Sequence, residues 1–123
     1  KTIGKEGDFY TAVSTSSFFG ASIANHIYSL IEKGDIPRDA HIVEIGAHRG
    51  YLLSDMIQWL YTIDSDLLET LSFSIVERQE HVKEAQKAYI KGRFGDDISV
   101  THFDNVSQIV GEYAFFISNE IFD

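Results

Sequence analysis

Two acids and two glycines, Glu44, Gly46, Gly50 and Glu77, stand where a small ligand could be gripped by this chain. In Val43-Glu44-Ile45-Gly46-Ala47-His48-Arg49-Gly50, a glycine directly follows a short apolar run. A backbone without a Cβ can turn sharply there and come close to a ligand. A helix is expected from about Tyr51, with its first free N–H groups facing the same turn. A carboxylate at Glu44 beside such a turn suits a ligand with an amino-acid end, because an ammonium needs acceptors and a carboxylate needs backbone donors. Glu44, Gly46, Ala47, His48 and Gly50 are therefore candidate binding positions. The plainer alternative is that the two glycines only shape a strand-to-helix turn. A phosphate-binding P-loop would need Gly-Lys-Ser/Thr, which is absent. A dinucleotide fingerprint would need glycine at 48 and 51, where this chain has His48 and Tyr51.

Glu77 closes the apolar run Ser74-Ile75-Val76. An acid at that place can accept hydrogen bonds from both ribose hydroxyls of a nucleoside. Alone it would read as a solvent-facing acid; beside Glu44 and Gly46 it reads as a ribose acceptor. Asp104 follows the next apolar run and either faces a base or caps a short helix, a cap that Asn105 could equally supply. His26, His41, His48, His81 and His102 show none of the spacings of zinc motifs, so no metal is expected.

The elements that must position these residues follow from periodicity. Residues 4–15 read as a polar loop, so residues 1–16 are expected to stand outside the core and 17–123 to form one α/β domain. Ser16 or Ser17 offers an N-cap for a helix carrying Phe19, Ile23, Ile27 and Leu30–Ile31 inward, ended by Gly34. His41–Ile45 reads as a strand. Leu52, Leu53, Met56, Ile57 and Leu60 line one face of a second helix, on which Trp59 reads as a packing residue. Residues 64–70 stay open between helix and acidic loop. Leu71–Val76 is a second strand, and Gln79–Lys91 a helix with Val82, Ala85 and Tyr89 inward. Ile98–His102 is a third strand, 106–110 a short helix, and Ala114–Ile117 a fourth strand. Strands alternating with helices predict a parallel sheet, with right-handed crossovers and ligands at the strands' carboxyl ends.

The 123 residues suit a single domain, 44% hydrophobic and 24% charged. A net charge of −9 makes nucleic acid a poor partner, because a phosphate backbone repels it. The absence of cysteine removes disulfides, thiolate metal sites and a cysteine nucleophile. The apolar runs are too short to span a membrane.

Several segments together resemble the MidA-like methyltransferases, bacterial proteins related to a mitochondrial complex I assembly factor. Gly7-Asp8-Phe9-Tyr10-Thr11, with Ser14, Phe19-Gly20 and Ile23-Ala24, is similar to that family's amino-terminal motif. Ile42–Ala47 with Gly50, Leu52 and Asp55 is similar to its cofactor motif, and Ile75-Val76-Glu77 to its ribose-binding strand end. Ser118-Asn119-Glu120-Ile121-Phe122-Asp123 resembles its N-E-x-x-D segment. The order is right over nearly the whole chain.

The resemblance implies a Rossmann-like class I methyltransferase fold, here an amino-terminal half with about four parallel strands. It implies S-adenosyl-L-methionine as cofactor, a protein substrate with arginine as the acceptor, and a bacterial cytoplasmic setting. Gly7, Phe9, Tyr10 and Thr11 become candidates for a lid over the cofactor, with Tyr10 as its aromatic wall, or else Phe9 and Tyr10 are core anchors. Asn119, Glu120 and Asp123 become candidate catalytic residues: two carboxylates after the fourth strand could grip a guanidinium. The plain alternative is surface acids. His48 departs from the family, which usually has glycine there. The family's proteins are also much longer, so an incomplete protein is expected, with an apolar sheet edge inviting self-association. The rivals are a non-catalytic scaffold and a nicotinamide-dependent oxidoreductase. The latter would place its acid about 20 residues past the glycines, whereas Glu77 lies 27 residues after Gly50.

Overall fold

Short apolar runs without helical spacing become strands, and the amphipathic stretches between them become the helices that cover the sheet. The structure is a computed structural model and describes residues 7–13, 17–109 and 113–120. The elements are β1 (Gly7–Val13), α1 (Ser17–Glu32), β2 (His41–Ile45), α2 (Tyr51–Ile63), α3 (Leu67–Thr70), β3 (Ser72–Val76), α4 (Glu80–Phe94), β4 (Val100–Phe103), a single 3-10 turn (Val106–Gln108) and β5 (Ala114–Glu120).

The five strands form one parallel sheet in the order β1-β5-β2-β3-β4. From β2 the chain steps outward to β3 and β4, then returns to place β5 on the other side of β2. Strand order therefore reverses between β2 and β5, the position where open α/β sheets form a ligand crevice.

Alternation along each strand divides the core between two faces. Ile42, Phe73, Ile75, Phe115 and Ile117 pack on one face against Ile23 and Ile27 of α1, Leu53, Met56, Ile57 and Leu60 of α2, and Ile90 of α4. Full burial of one such side chain is worth about 1.5–3 kcal/mol. Val43, Ala114 and Phe116 face the other way, with Ile109 and Val106 from the β4–β5 connection over them. The contact between α1 and α2 is close at Gly20, where a Cβ would fall 2.5 Å from the Cβ of Asp55. Asp55 also receives a 2.8 Å bond from Arg93 of α4, and Arg93 reaches the Tyr89 hydroxyl at 3.0 Å. One small residue and one ion pair thus lock three helices together.

Five expectations are corrected. Residues 7–13 are a strand, not a loop: Gly7–Val13 pairs along its whole length with Ala114–Glu120, so the boundary drawn at residue 16 falls after a sheet strand. Among the described residues the sheet has five strands rather than about four, β1 being the addition. Its fourth strand in the sequence reading is β5, which runs on to Glu120 and lies inside the sheet between β1 and β2, so the open edge expected there is occupied. On α4 the buried residues are Gln86 and Ile90, and Ala85 is exposed. The stripe is rotated because a glutamine takes a core position that an apolar pattern does not mark. Trp59 is 42% exposed, since the inward face of α2 is already filled by Leu53, Met56, Ile57 and Leu60.

Candidate functional site

Two turns meet at the carboxyl end of the sheet. Ile45 is paired with Val76, so Gly46 and Glu77 leave neighbouring strands side by side. The first turn uses left-handed backbone at three of its five residues: Gly46 (φ 73), His48 (φ 54) and Gly50 (φ 84). It closes with a 2.8 Å bond from the Gly50 N–H to the Ala47 carbonyl. Gly50 is the N-cap of α2 and supplies no side-chain acceptor, so the first N–H groups of the helix are left for another partner. His48 is the single non-glycine residue with positive φ among the described residues. A side chain pays a steric cost in that region that glycine avoids.

The second turn is held by Glu77 itself. One carboxylate oxygen, Oε2, accepts from the N–H groups of Arg78 and Gln79, both at 3.1 Å. The Glu77 N–H extends the β3–β4 ladder to the Phe103 carbonyl at 2.9 Å. The carboxylate is thus fixed at the start of α4 while Oε1 has no hydrogen bond to a described residue.

Between the turns lies a crevice of about 550 Å³, lined by Gly46, His48, Arg49, Glu77, Gln79, His81, Val82 and Ala85. That volume lies within the range of small-molecule sites, about 300–1,000 Å³. A second hollow of about 500 Å³ lies between α2, α3 and α4 around Gln58, Leu68, Arg93 and Phe94; none of the candidate residues lines it.

Gly46, His48 and Glu77 come together as the sequence suggested. Other candidates do not line the crevice. Glu44 is fully buried on the α1/α2 face, in register with Ile75 and Ile117, and is not a free acceptor. Ala47 is 1% exposed and belongs to the core beneath the turn. Gly50 is buried against Gln86 and Ile90.

Asp104 is exposed and bound to Lys83, whose ammonium holds the carboxyl below its ordinary range. The bond to Asp104 in turn raises Lys83, against the opposing effect of desolvation. Asn105, not Asp104, caps the following 3-10 turn, accepting from the Ser107 N–H while the Gln108 side chain returns to the Asn105 N–H. Asp55, part of the glycine-turn motif in sequence, serves the helix contacts described above.

The catalytic candidates lie at the far end of β5. Asn119 and Glu120 fall within the strand rather than after it, in register with Ala12 and Val13. Gly7, Phe9, Tyr10 and Thr11 are all in β1, so they form an edge strand and not a closing loop. Asp123 lies outside the described residues.

Sequence reasoning missed Gln79, His81, Val82 and Ala85 as crevice residues. Their signal was position alone: they follow Glu77 within the turn and first two turns of α4. It also missed Gln86, which is fully buried on α4. Gln86 donates from Nε2 to the His48 carbonyl at 2.7 Å and contacts His102 Nε2 through Oε1 at 3.0 Å. A carbonyl only accepts, so the amide nitrogen faces His48; Oε1 then faces His102, whose Nε2 carries the proton. Burial lowers the His102 pKa, and Lys87 and Lys83 push the same way.

A parallel sheet with reversed strand order, a left-handed turn leading into an uncapped helix, and an acid at the adjacent strand end define a Rossmann-like α/β protein. The family model described as "Putative S-adenosyl-L-methionine-dependent methyltransferase" matches residues 22–123, and the chain belongs to that family. It is 26% identical to the bovine mitochondrial protein arginine methyltransferase NDUFAF7 over 98% of this chain and 32% of the relative. It is 28% identical to the Drosophila melanogaster homologue over 91% of this chain and 26% of that protein. The chain thus spans about a third of the length of these relatives or less. A Burkholderia thailandensis crystal structure, described as a "likely methyl transferase" bound to S-adenosyl-homocysteine, shares the fold with a TM-score of 0.58. The two are 18% identical, over 73% of this chain and 22% of that one. No helix among the described residues is long and apolar enough to cross a membrane.

Proposed function

We propose that this chain is the cofactor-binding part of an S-adenosyl-L-methionine-dependent methyltransferase acting on arginine side chains of a protein. The observation that carries this is the placement of Gly46 and Glu77, each just beyond the paired ends of β2 and β3, along one crevice of suitable volume at the point where strand order reverses. The residues present fit the cofactor. Glu77 Oε1 is available to accept from ribose, and the α2 N–H groups beyond Gly50 have no side-chain cap competing for a carboxylate. The family and the names of the relatives support the donor and the acceptor.

The bound cofactor would supply an electrophilic sulfonium methyl with a neutral leaving group. The protein's work is then alignment and exclusion of water. Asn119 and Glu120, with Asp123, are assigned to the acceptor side. Carboxylates there would orient a guanidinium through paired N–H bonds and take up the proton that the nitrogen loses. Tyr10 and its neighbours in β1 are assigned to the wall beside β5, with Phe9 and Thr11 in the same strand.

Calorimetric titration with S-adenosylhomocysteine and with NAD tests the reading. Binding of the first and not the second is expected. Binding of NAD alone would overturn it in favour of an oxidoreductase. Transfer of labelled methyl groups to arginine in candidate proteins tests the acceptor, and cofactor binding with no transfer to any arginine would favour a scaffold.

A further inference from the structure

We infer that Gln86 is a positioning residue for cofactor binding: its buried side-chain amide holds the His48 carbonyl and so fixes the left-handed backbone that the turn requires. The inference rests on the cofactor reading above for its effect on affinity, though not for its effect on the turn itself. Three observations converge on it. His48 occupies a positive-φ position without the freedom of glycine. Gln86 is fully buried in a helix whose other buried residue is Ile90, although burying an amide is unfavourable unless both of its ends are bonded. Both ends are bonded, Nε2 to the His48 carbonyl and Oε1 to His102 Nε2.

The geometry gives the pair a division of labour. With His48 in the left-handed region, its carbonyl points toward α4, where Gln86 meets it at 2.7 Å. In a glycine turn that orientation costs little. With a side chain at 48 it needs an anchor, and Gln86 supplies one from a neighbouring helix. His102 on β4 holds the anchor in turn: its Nε2–H fixes which end of the amide faces the turn. His102 Nδ1 is buried with no hydrogen-bond partner among the described residues, so the ring's only described hydrogen bond is the one to Gln86.

The test is a double-substitution cycle read by S-adenosylhomocysteine calorimetry and by backbone NMR. Gln86→Met keeps the length of the side chain and removes the amide. It is expected to weaken S-adenosylhomocysteine binding about tenfold, the scale of one lost buried hydrogen bond. In a His48→Gly background the same substitution is expected to cost less than about threefold, because glycine adopts positive φ without an anchor. Equal losses in both backgrounds would make Gln86 a space-filling residue and overturn the inference.

The unmodified protein decides the matter if Gln86→Met does not fold. Slow exchange of the Gln86 side-chain amide protons and left-handed chemical shifts at His48 are expected. Rapid exchange, or right-handed shifts at His48, would overturn the inference. If the unmodified protein binds no S-adenosylhomocysteine, the cofactor reading fails while the NMR arm still decides whether Gln86 anchors the turn.

Discussion

The two turns that meet at the crevice are held by opposite means. The turn after β3 is secured locally, because Glu77 accepts from the N–H groups of the next two residues. The turn after β2 is secured from far away, by a glutamine 38 residues further along the chain. A local device tolerates change elsewhere in the fold, whereas a remote one fails when α4 shifts. The difference also explains why the anchor of one turn lay among its own residues while that of the other, Gln86, went unread.

The largest expected effect attacks the local device. Glu77→Ala should weaken S-adenosylhomocysteine binding about 30-fold, or ~2 kcal/mol, as expected for hydrogen bonds to a charged acceptor. Calorimetry checks it, and unchanged affinity would remove Glu77 from the ligand site. Next comes the remote turn's backbone. Gly50→Ala should lower stability by about 1–2 kcal/mol in urea unfolding, from strain at positive φ rather than from a clash. The added Cβ would meet nothing nearer than 3.8 Å, so a loss much larger than this would mean that packing limits the turn instead.

A smaller gain should follow from His48→Gly. Removing a side chain from a left-handed position should raise stability by about 0.5–1 kcal/mol, after the entropy of glycine is deducted. A loss of stability would show that the imidazole makes a compensating contact. The smallest effect is in pH. His102 has its pKa lowered in the folded state, so the unfolded chain binds the proton first, from about pH 6.5 downward. The stability contributed by neutral His102 is therefore full above that pH and is lost as pH falls through the folded value. His102→Gln should flatten this part of the acid-stability curve, measured by urea midpoints from pH 7 to 5.

What was legible in the sequence follows the same division. His41–Ile45, Ser74–Glu77 and the α2 stripe announce themselves through short-range patterns, and the convergence of Gly46 on Glu77 follows from two parallel strands of equal register. β1 was not legible. Gly7-Asp8-Phe9-Tyr10-Thr11 mixes glycine, a charge and a hydroxyl, and only its pairing with a strand over 100 positions away makes it extended. Gln86 was hidden for a related reason: a polar residue on a helix is expected to face water, and its burial depends on His48 and His102, neither nearby in sequence. Glu44 shows the opposite case, since its type suggested a ligand contact and its parity with Ile42 places it among buried residues.

The position of β5 has a consequence for how the protein is made. It follows β4 in the sequence yet lies between β1 and β2, contacting both along its length. On a ribosome, α1 to β4 can emerge and pack while one flank of β2 still waits for its neighbour. Native pairings of such wide sequence separation form slowly, and an unfilled gap in a sheet is exposed to other nascent chains in the meantime. Synthesis of β5 should therefore be the step at which this gap between β1 and β2 closes, all at once rather than by degrees.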